Sequence, residues 1–286
     1  MSAPPSIDGS PDLQAFREGM KSLGYVEGAE FVIEPRFANA DRGSLQRLTK
    51  ELLDARVDMI VTVGTPTTAE AKLATSSIPI VMTGAESPIE HGLIASFAHP
   101  GANVTGLTQQ PNGGFWKKGL ELLKEASPGI RRVGILGADH PHSISSVDGM
   151  SVKTYGLQVQ NLDELKSAFN DIRSDNIDAM FIFPAFVVTK YVAEISDFLE
   201  VEHLPAISQD KPMMEHGALL YYNTDFLALR RRAALYVDKI MNGAKPDELP
   251  VEQPSKFEFI VNMKRARALG LALPTSIMAF ADQIIE

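Results

Sequence analysis

Short apolar runs alternate with stretches of helical period from residue 31 to the carboxyl end, and this alternation narrows the possible folds more than any other property of the chain. The run "DMIVTVG" at 58–64 is almost continuously apolar, as a strand covered on both faces must be. The segment "GSLQRLTKELLDARV" at 43–57 instead repeats its apolar residues at helical spacing. The same reading predicts strands at 31–37, 78–84, 103–108, 131–137, 178–184, 204–209, 217–223 and 256–262. It predicts helices at 66–74, 90–97, 115–126, 162–173, 187–201, 225–241, 263–269 and 274–285. Strands separated by helices form parallel sheets through right-handed crossovers, so the fold class is α/β. The polar "TQQPNGG" at 108–114 divides the series in two, which predicts two similar lobes.

A chain of 286 residues that is 44% hydrophobic is long enough to bury a core in each lobe. Its net charge of −9 and lack of a long Lys/Arg run argue against nucleic acid, whose phosphates need clustered cations. No window approaches the roughly 18 consecutive apolar residues of a membrane span. The start, "MSAPPSIDGSPDLQ", has neither the basic nor the apolar region of a signal peptide, so an exported protein would be represented here in processed or trimmed form. With no cysteine there are no disulfides, no thiolate zinc sites and no cysteine-based catalysis.

Ligands of open α/β sheets bind outside the carboxyl ends of strands. Small polar residues stand at several of those ends: Gly64, Thr65, Pro66, Thr67 and Thr68, then Gly84, Glu86 and Ser87, then Asp139. Ser208–Asp210 and Tyr222–Asp225 occupy the ends in the second series. The first group opens onto a helix N-terminus, whose free N–H groups favour an anion. The competing reading makes Thr65 a simple N-cap within an ordinary turn.

Reactive motifs are missing. There is no Gly-x-x-x-x-Gly-Lys-Ser/Thr loop, no Gly-x-Gly-x-x-Gly fingerprint and no Gly-x-Ser-x-Gly elbow. His140 and His142 flank a proline beside Asp139, and a surface loop explains them better than a metal site. The basic "LRRRAAL" at 229–235 reads as a solvated or lobe-packing helix face. Neither a cofactor nor a metal is expected.

The segments "AFREGMKSLGYVEG", "VDMIVTVGTPTTAEAKLATSSIPIV", "HPGANVTGLT" and "RRAALYVDKIMNGAKPDELPVEQPSKFEFIVNMKRARALGLALP" resemble the ABC-transporter solute-binding proteins of the tryptophan and amino-acid importer type. The resemblance runs from about residue 13 to residue 286, and its "GAKPDELPVEQPSKFE" block is highly specific. It implies the periplasmic-binding-protein type I fold, two doubly wound lobes with ligand in the cleft. Lobe one would hold 1–107 and about 225–248; lobe two would hold 108–224 and about 249–286. It further implies that Thr65–Thr68 face a ligand carboxylate and that Asp225 lies near the ligand's amine, with Ala185, Phe186, Asp210 and Tyr222 contributing from lobe two.

Three departures from that family stand out. Relatives begin with an apolar strand central to the first sheet, just ahead of the segment matching "SAPPS"; here lobe one lacks it. The expectation is that the natural chain carries this strand and an export signal upstream, that Met1 is an artificial or misassigned start, and that a longer chain melts many degrees higher. The stretch between "VGIL" and "DELKSAF" is shorter than the helix and strand that relatives carry. Glu86-Ser87-Pro88 replaces a frequent Gly-Asp-Pro, which alters one ligand contact.

The expected function is therefore capture of a small anionic or zwitterionic solute, such as an amino acid or an aromatic or carboxylic acid. The protein would be a periplasmic or lipid-anchored monomer that delivers its ligand to an ABC permease. The alternative is a ligand-sensing domain of the same fold without transport; an enzyme is disfavoured because paired acid–base residues are missing.

Overall fold

Two largely parallel sheets, the larger with one antiparallel edge strand, organise the chain, and its packing divides into two units: Met1–Gly113 with Thr224–Lys256, and Gly114–Asn223 with Phe257–Glu286. A computed structural model describes residues 10–38, 42–110, 115–137, 146–147, 150–155 and 161–286.

The first unit contains helix α1 (Pro11–Ser22), a 3-10 turn at Arg42–Ser44 and α2 (Leu45–Asp54). Strand β1 (Ile60–Val63), α3 (Thr65–Ala74), β2 (Ile80–Ala85) and β3 (Val104–Thr108) follow. Much later the chain returns to this unit as α8 (Phe226–Met241). The sheet order is β1-β2-β3, with both pairings parallel. Alternate residues of β2 face opposite ways. Ile80 and Met82 pack with Ala71 and Leu93 on one side, while Val81 packs with Met20, Ala233 and Tyr236 on the other. Each such fully buried aliphatic side chain stabilises the unit by about 2 kcal/mol. Gly106 is needed where β3 passes β2: its φ is +123°, and a Cβ there would stand 2.2 Å from the Met82 carbonyl oxygen. Helices α1 and α8 also meet closely, at Gly19, where a Cβ would stand 2.4 Å from the Arg231 carbonyl oxygen.

The second unit contains α4 (Phe115–Ala126), β4 (Arg132–Leu136), the short β5 (Ser146–Val147) and β6 (Met150–Tyr155). Next come α5 (Leu162–Ser174), β7 (Ala179–Ile182), α6 (Phe186–Lys190), α7 (Val192–Val201), β8 (Ala206–Ser208) and β9 (Leu220–Thr224). The chain closes with β10 (Phe257–Asn262), α9 (Met263–Ala268), α10 (Thr275–Phe280) and β11 (Gln283–Ile285). The sheet order is β11-β10-β9-β8-β7-β4-β6-β5. Ala179 and Phe181 face a core with Leu120, Leu123 and Phe259; Met180 and Ile182 face one with Leu165, Ile195 and Leu199. The α/β expectation and the near-continuous apolar runs are thus explained by sheets covered on both faces.

Several expected elements differ. Residues 31–37 form no strand; Phe31 makes a lone bridge to Glu27, and Val32 is 72% exposed. An alternating pattern makes a strand only where a neighbouring edge accepts its hydrogen bonds, and Pro35 removes one donor. The edge of β1 away from β2 likewise has no described partner strand, and Val61 and Val63 stay 39% and 48% exposed. Residues 90–97 form tight turns instead of a helix, with Leu93 N donating to Pro88 O and Gly92 at φ +63°. The helix expected at 187–201 breaks at Tyr191, whose ψ of 35° leaves the helical region and separates α6 from α7. The one expected at 274–285 ends at Phe280, because β11 pairs in parallel with β10 and Asp282 Oδ2 accepts the Phe259 amide. The shortened stretch after β4 still supplies a strand, β6, parallel to β4. Among the described residues no helix is long and apolar enough to cross a membrane.

The crossing segment around residues 251–256 belongs with the first unit, since Glu252 N donates to Gly106 O and Thr108 N donates to Glu252 O.

Candidate functional site

In the first unit the carboxyl ends of β1 and β2 are joined through one hydroxyl. Gly64, at φ +85°, turns the chain out of β1 and directly into α3. Thr65 Oγ1 accepts the Glu86 amide at 2.9 Å and lies 3.4 Å from the Glu86 carbonyl. Pro66 sits in the first turn of α3, where a missing N–H leaves nothing unpaired. Thr67 donates to Val63 O at 2.6 Å and lies 3.0 Å from Gly64 O. The Thr68 side chain is fully buried; its hydroxyl lies 2.8 Å from both the Thr62 hydroxyl and Gly64 O. The turn therefore binds its own hydroxyls inward, and Gly64 at the N-cap position gives the first amides of α3 no side-chain cap. Glu86 and Ser87 are exposed beside it, and Ser87 holds φ +37°, an uncommon backbone for a residue with a side chain.

Asp225 N-caps α8: its Oδ1 accepts the Ala228 amide at 2.8 Å, and its own amide donates to Lys256 O at 3.1 Å. It borders a cavity of about 570 Å³ also lined by Leu107, Arg231, Arg232, Glu252 and Lys256. Of the expected site residues only Asp225 lines that cavity. The basic "LRRRAAL" cluster splits three ways: Arg230 pairs with Asp12, Arg231 with Glu18 and Arg232 with Glu252. The Arg232 hydrogen bond holds the Glu252 carboxyl below its usual range. These are packing contacts, and the burial of Arg230 is the one the amino-acid pattern hid, because Asp12 lies 218 positions away.

In the second unit the ends of β4, β7, β8 and β9 form one ladder. Phe183 N donates to Leu136 O, and Gln209 N donates to Ile182 O at 2.8 Å. Asn223 Nδ2 donates to Gln209 O at 2.9 Å. Gly137 lets the chain pass close; a Cβ there would meet Phe183 O at 2.6 Å and Ala185 Cβ at 3.1 Å. Ala185 is half-buried and precedes α6, which starts at Phe186. Tyr222 is 6% exposed, its ring 5.8 Å from that of Phe257 and 6.3 Å from that of Phe259, and burial raises its phenol pKa. Asp210 is half-buried at the end of β8, and burial raises its carboxyl pKa. Asp139, His140 and His142 lie outside the described residues. Among the described residues no group of acidic or histidine side chains is arranged to hold a metal ion.

The sequence profile of the ABC transporter substrate binding protein family matches residues 7–285. The chain belongs to this family.

Individual relatives of this substrate-binding protein are distant in sequence and alike in fold. A tyrosine-binding protein of Clostridioides difficile is 24% identical over 277 residues, covering 93% of this chain and 78% of the relative. A conserved domain protein from Vibrio cholerae superposes with a TM-score of 0.81 at 22% identity, covering 99% of this chain and 97% of the other. A Streptococcus pneumonia ABC domain in complex with L-Trp superposes with a TM-score of 0.79 at 22% identity, covering 100% and 97%. At such identities the superpositions speak for the fold. In the substrate-binding protein the expected contacts fall into two local groups: Gly64–Thr68 with Glu86 and Ser87 in the first unit, and Ala185, Phe186, Asp210 and Tyr222 in the second.

Proposed function

We propose that this substrate-binding protein captures a small anionic or zwitterionic solute, an amino acid or an aromatic or carboxylic acid, for an ABC importer. The observation carrying this reading is the pinned junction of Thr65 with Glu86. It leaves the first amides of α3, a ten-residue helix, at the carboxyl edge of a parallel sheet. The proposed contacts are Gly64, Thr65, Pro66, Thr67, Thr68, Glu86, Ser87 and Asp225 in the first unit, and Asp139, Ala185, Phe186, Asp210 and Tyr222 in the second. The buried Thr68 acts by shaping the turn from within. The tyrosine-binding relative and the L-Trp complex favour an amino acid within this class. Membership of a substrate-binding-protein family supports the reading that the protein binds its ligand without turnover. On this reading it is an extracytoplasmic, monomeric protein that hands its ligand to a membrane permease and uses neither cofactor nor nucleic acid.

Mass spectrometry of small molecules released from gently purified protein tests the ligand class. Recovery of an amino or carboxylic acid in near-stoichiometric amount is expected; a neutral sugar or nucleoside would overturn it. Uptake in cells carrying the matching permease and ATPase, compared with cells lacking this protein, separates transport from sensing.

A further inference from the structure

Asp225 and Asp210, the two described aspartates among the proposed contacts, differ in their surroundings. Asp225 already uses Oδ1 to cap α8. Asp210 has a fixed backbone and an unused side chain. Its amide donates to Ser208 Oγ at 2.9 Å, and Ser208 Oγ donates back to the Asp210 carbonyl at 3.1 Å. The preceding residue is tied to β7 and β9 through Gln209 N to Ile182 O and Asn223 Nδ2 to Gln209 O. The Asp210 carboxylate does not cap the 3-10 turn Lys211–Met214 that follows it. Its Oδ2 is shut off from solvent and has no hydrogen-bond partner. The adjacent cation gives no help, because Lys211 Nζ reaches Glu258 at 2.5 Å.

A carboxylate oxygen removed from water and left unpaired is unfavourable, and folding retains one only where something else compensates. A positively charged donor arriving with the ligand supplies that compensation, since charge-assisted hydrogen bonds are the strong ones. The local backbone favours such a partner. The carboxylate stands on a turn bonded on both sides, so little order is lost when it takes up a donor. We propose that Asp210, and not Asp225, receives the ammonium group of the ligand, so that this protein selects amino acids over the corresponding acids without an amine. This rests on the reading of the protein as a solute-binding component and specifies the chemistry of its site.

Calorimetric titration of the full chain with L-tryptophan, L-tyrosine, indole-3-propionate and 3-(4-hydroxyphenyl)propionate tests it. The wild type should bind an amino acid about tenfold or more tighter than its amine-free counterpart. Asp210→Asn, which keeps size and removes charge, should lose about tenfold or more for the amino acid and leave the amine-free acid unchanged. Asp225→Asn, which keeps the cap, should shift the amino acid and its amine-free counterpart alike, leaving their affinity ratio within about threefold of the wild type's. Thermal melting of both variants confirms that they fold. Amino-acid affinity retained in Asp210→Asn, or equal wild-type affinity for the amine-free acids, overturns the assignment while the solute-binding reading stands. A wild type that binds none of the four probes overturns the assignment, and released-ligand mass spectrometry then decides the broader reading separately.

Discussion

Arg230 Nε donates to an Asp12 carboxylate oxygen at 2.7 Å, joining α8 to the first turn of α1. The arginine side chain is 8% exposed and the aspartate 48%, so the pair is half in solvent and half out of it. Burial lowers the Arg230 pKa against the opposing pull of Asp12, and Nη1 is buried without a partner near Gly84. Removing the anion leaves a buried guanidinium with no counter-charge. Asp12→Asn should therefore destabilise the fold by about 1–2 kcal/mol, less than for a fully buried pair because Asp12 is half exposed. Arg230→Met in that background should cost less than it does alone. Urea denaturation of the four proteins in the cycle measures this, and strictly additive effects would show that the two side chains do not interact.

Thr68 offers a test of the turn. Thr68→Val keeps the shape but strands the buried Thr62 hydroxyl, which lies 2.8 Å from it. Stability should fall by about 1–2 kcal/mol while ligand affinity changes little. The reverse pattern, unaltered denaturation with weakened binding, would mean that the hydroxyl turns toward the ligand.

Gly106 cannot be replaced without moving β2. Its φ of +123° and the 2.2 Å approach to Met82 O leave no room for a methyl group. Gly106→Ala should destabilise by about 3 kcal/mol or more, or abolish soluble expression. A melting curve like the wild type's would contradict this packing.

Asp210 makes ligand-free stability depend on pH. Burial raises its folded-state pKa, so the folded chain holds this proton to higher pH than the unfolded chain does. Its contribution is favourable below the ordinary aspartate value of about 3.9 and is lost as pH rises through the folded value. Asp210→Asn should thus raise the thermal midpoint by about 1–3 °C at neutral pH, with the gain vanishing below about pH 4. A constant difference across that range would place the effect elsewhere.

The outer edge of β1 should be visible in hydrogen exchange. Ile60 N donates to Pro79 O and Gly64 N to Thr83 O, so the alternate amides of Val61 and Val63 face the other way. They should exchange about tenfold or more faster than those of Ile60 and Gly64. Equal protection would reveal a partner along that edge.

Periodicity by itself determined the α/β class, the order of most strands and helices, and the strand ends on which to look for a site. That is because a sheet buried on both faces demands unbroken apolar runs such as 58–64, and a helix over it demands a stripe such as 45–54. Tertiary structure alone decided what depends on a distant partner. Residues 31–37 carry a strand's pattern but meet no edge among the described residues, while Gln283–Ile285 lies within a stretch of helical appearance and becomes a strand because β10 offers one. Arg230 looks like its neighbours in "LRRRAAL" and is buried only because Asp12 reaches it from the other end of the unit. The two acids Asp225 and Asp210 look equivalent as letters; one caps a helix and the other has a buried oxygen with no partner, a difference that three-dimensional hydrogen bonding creates.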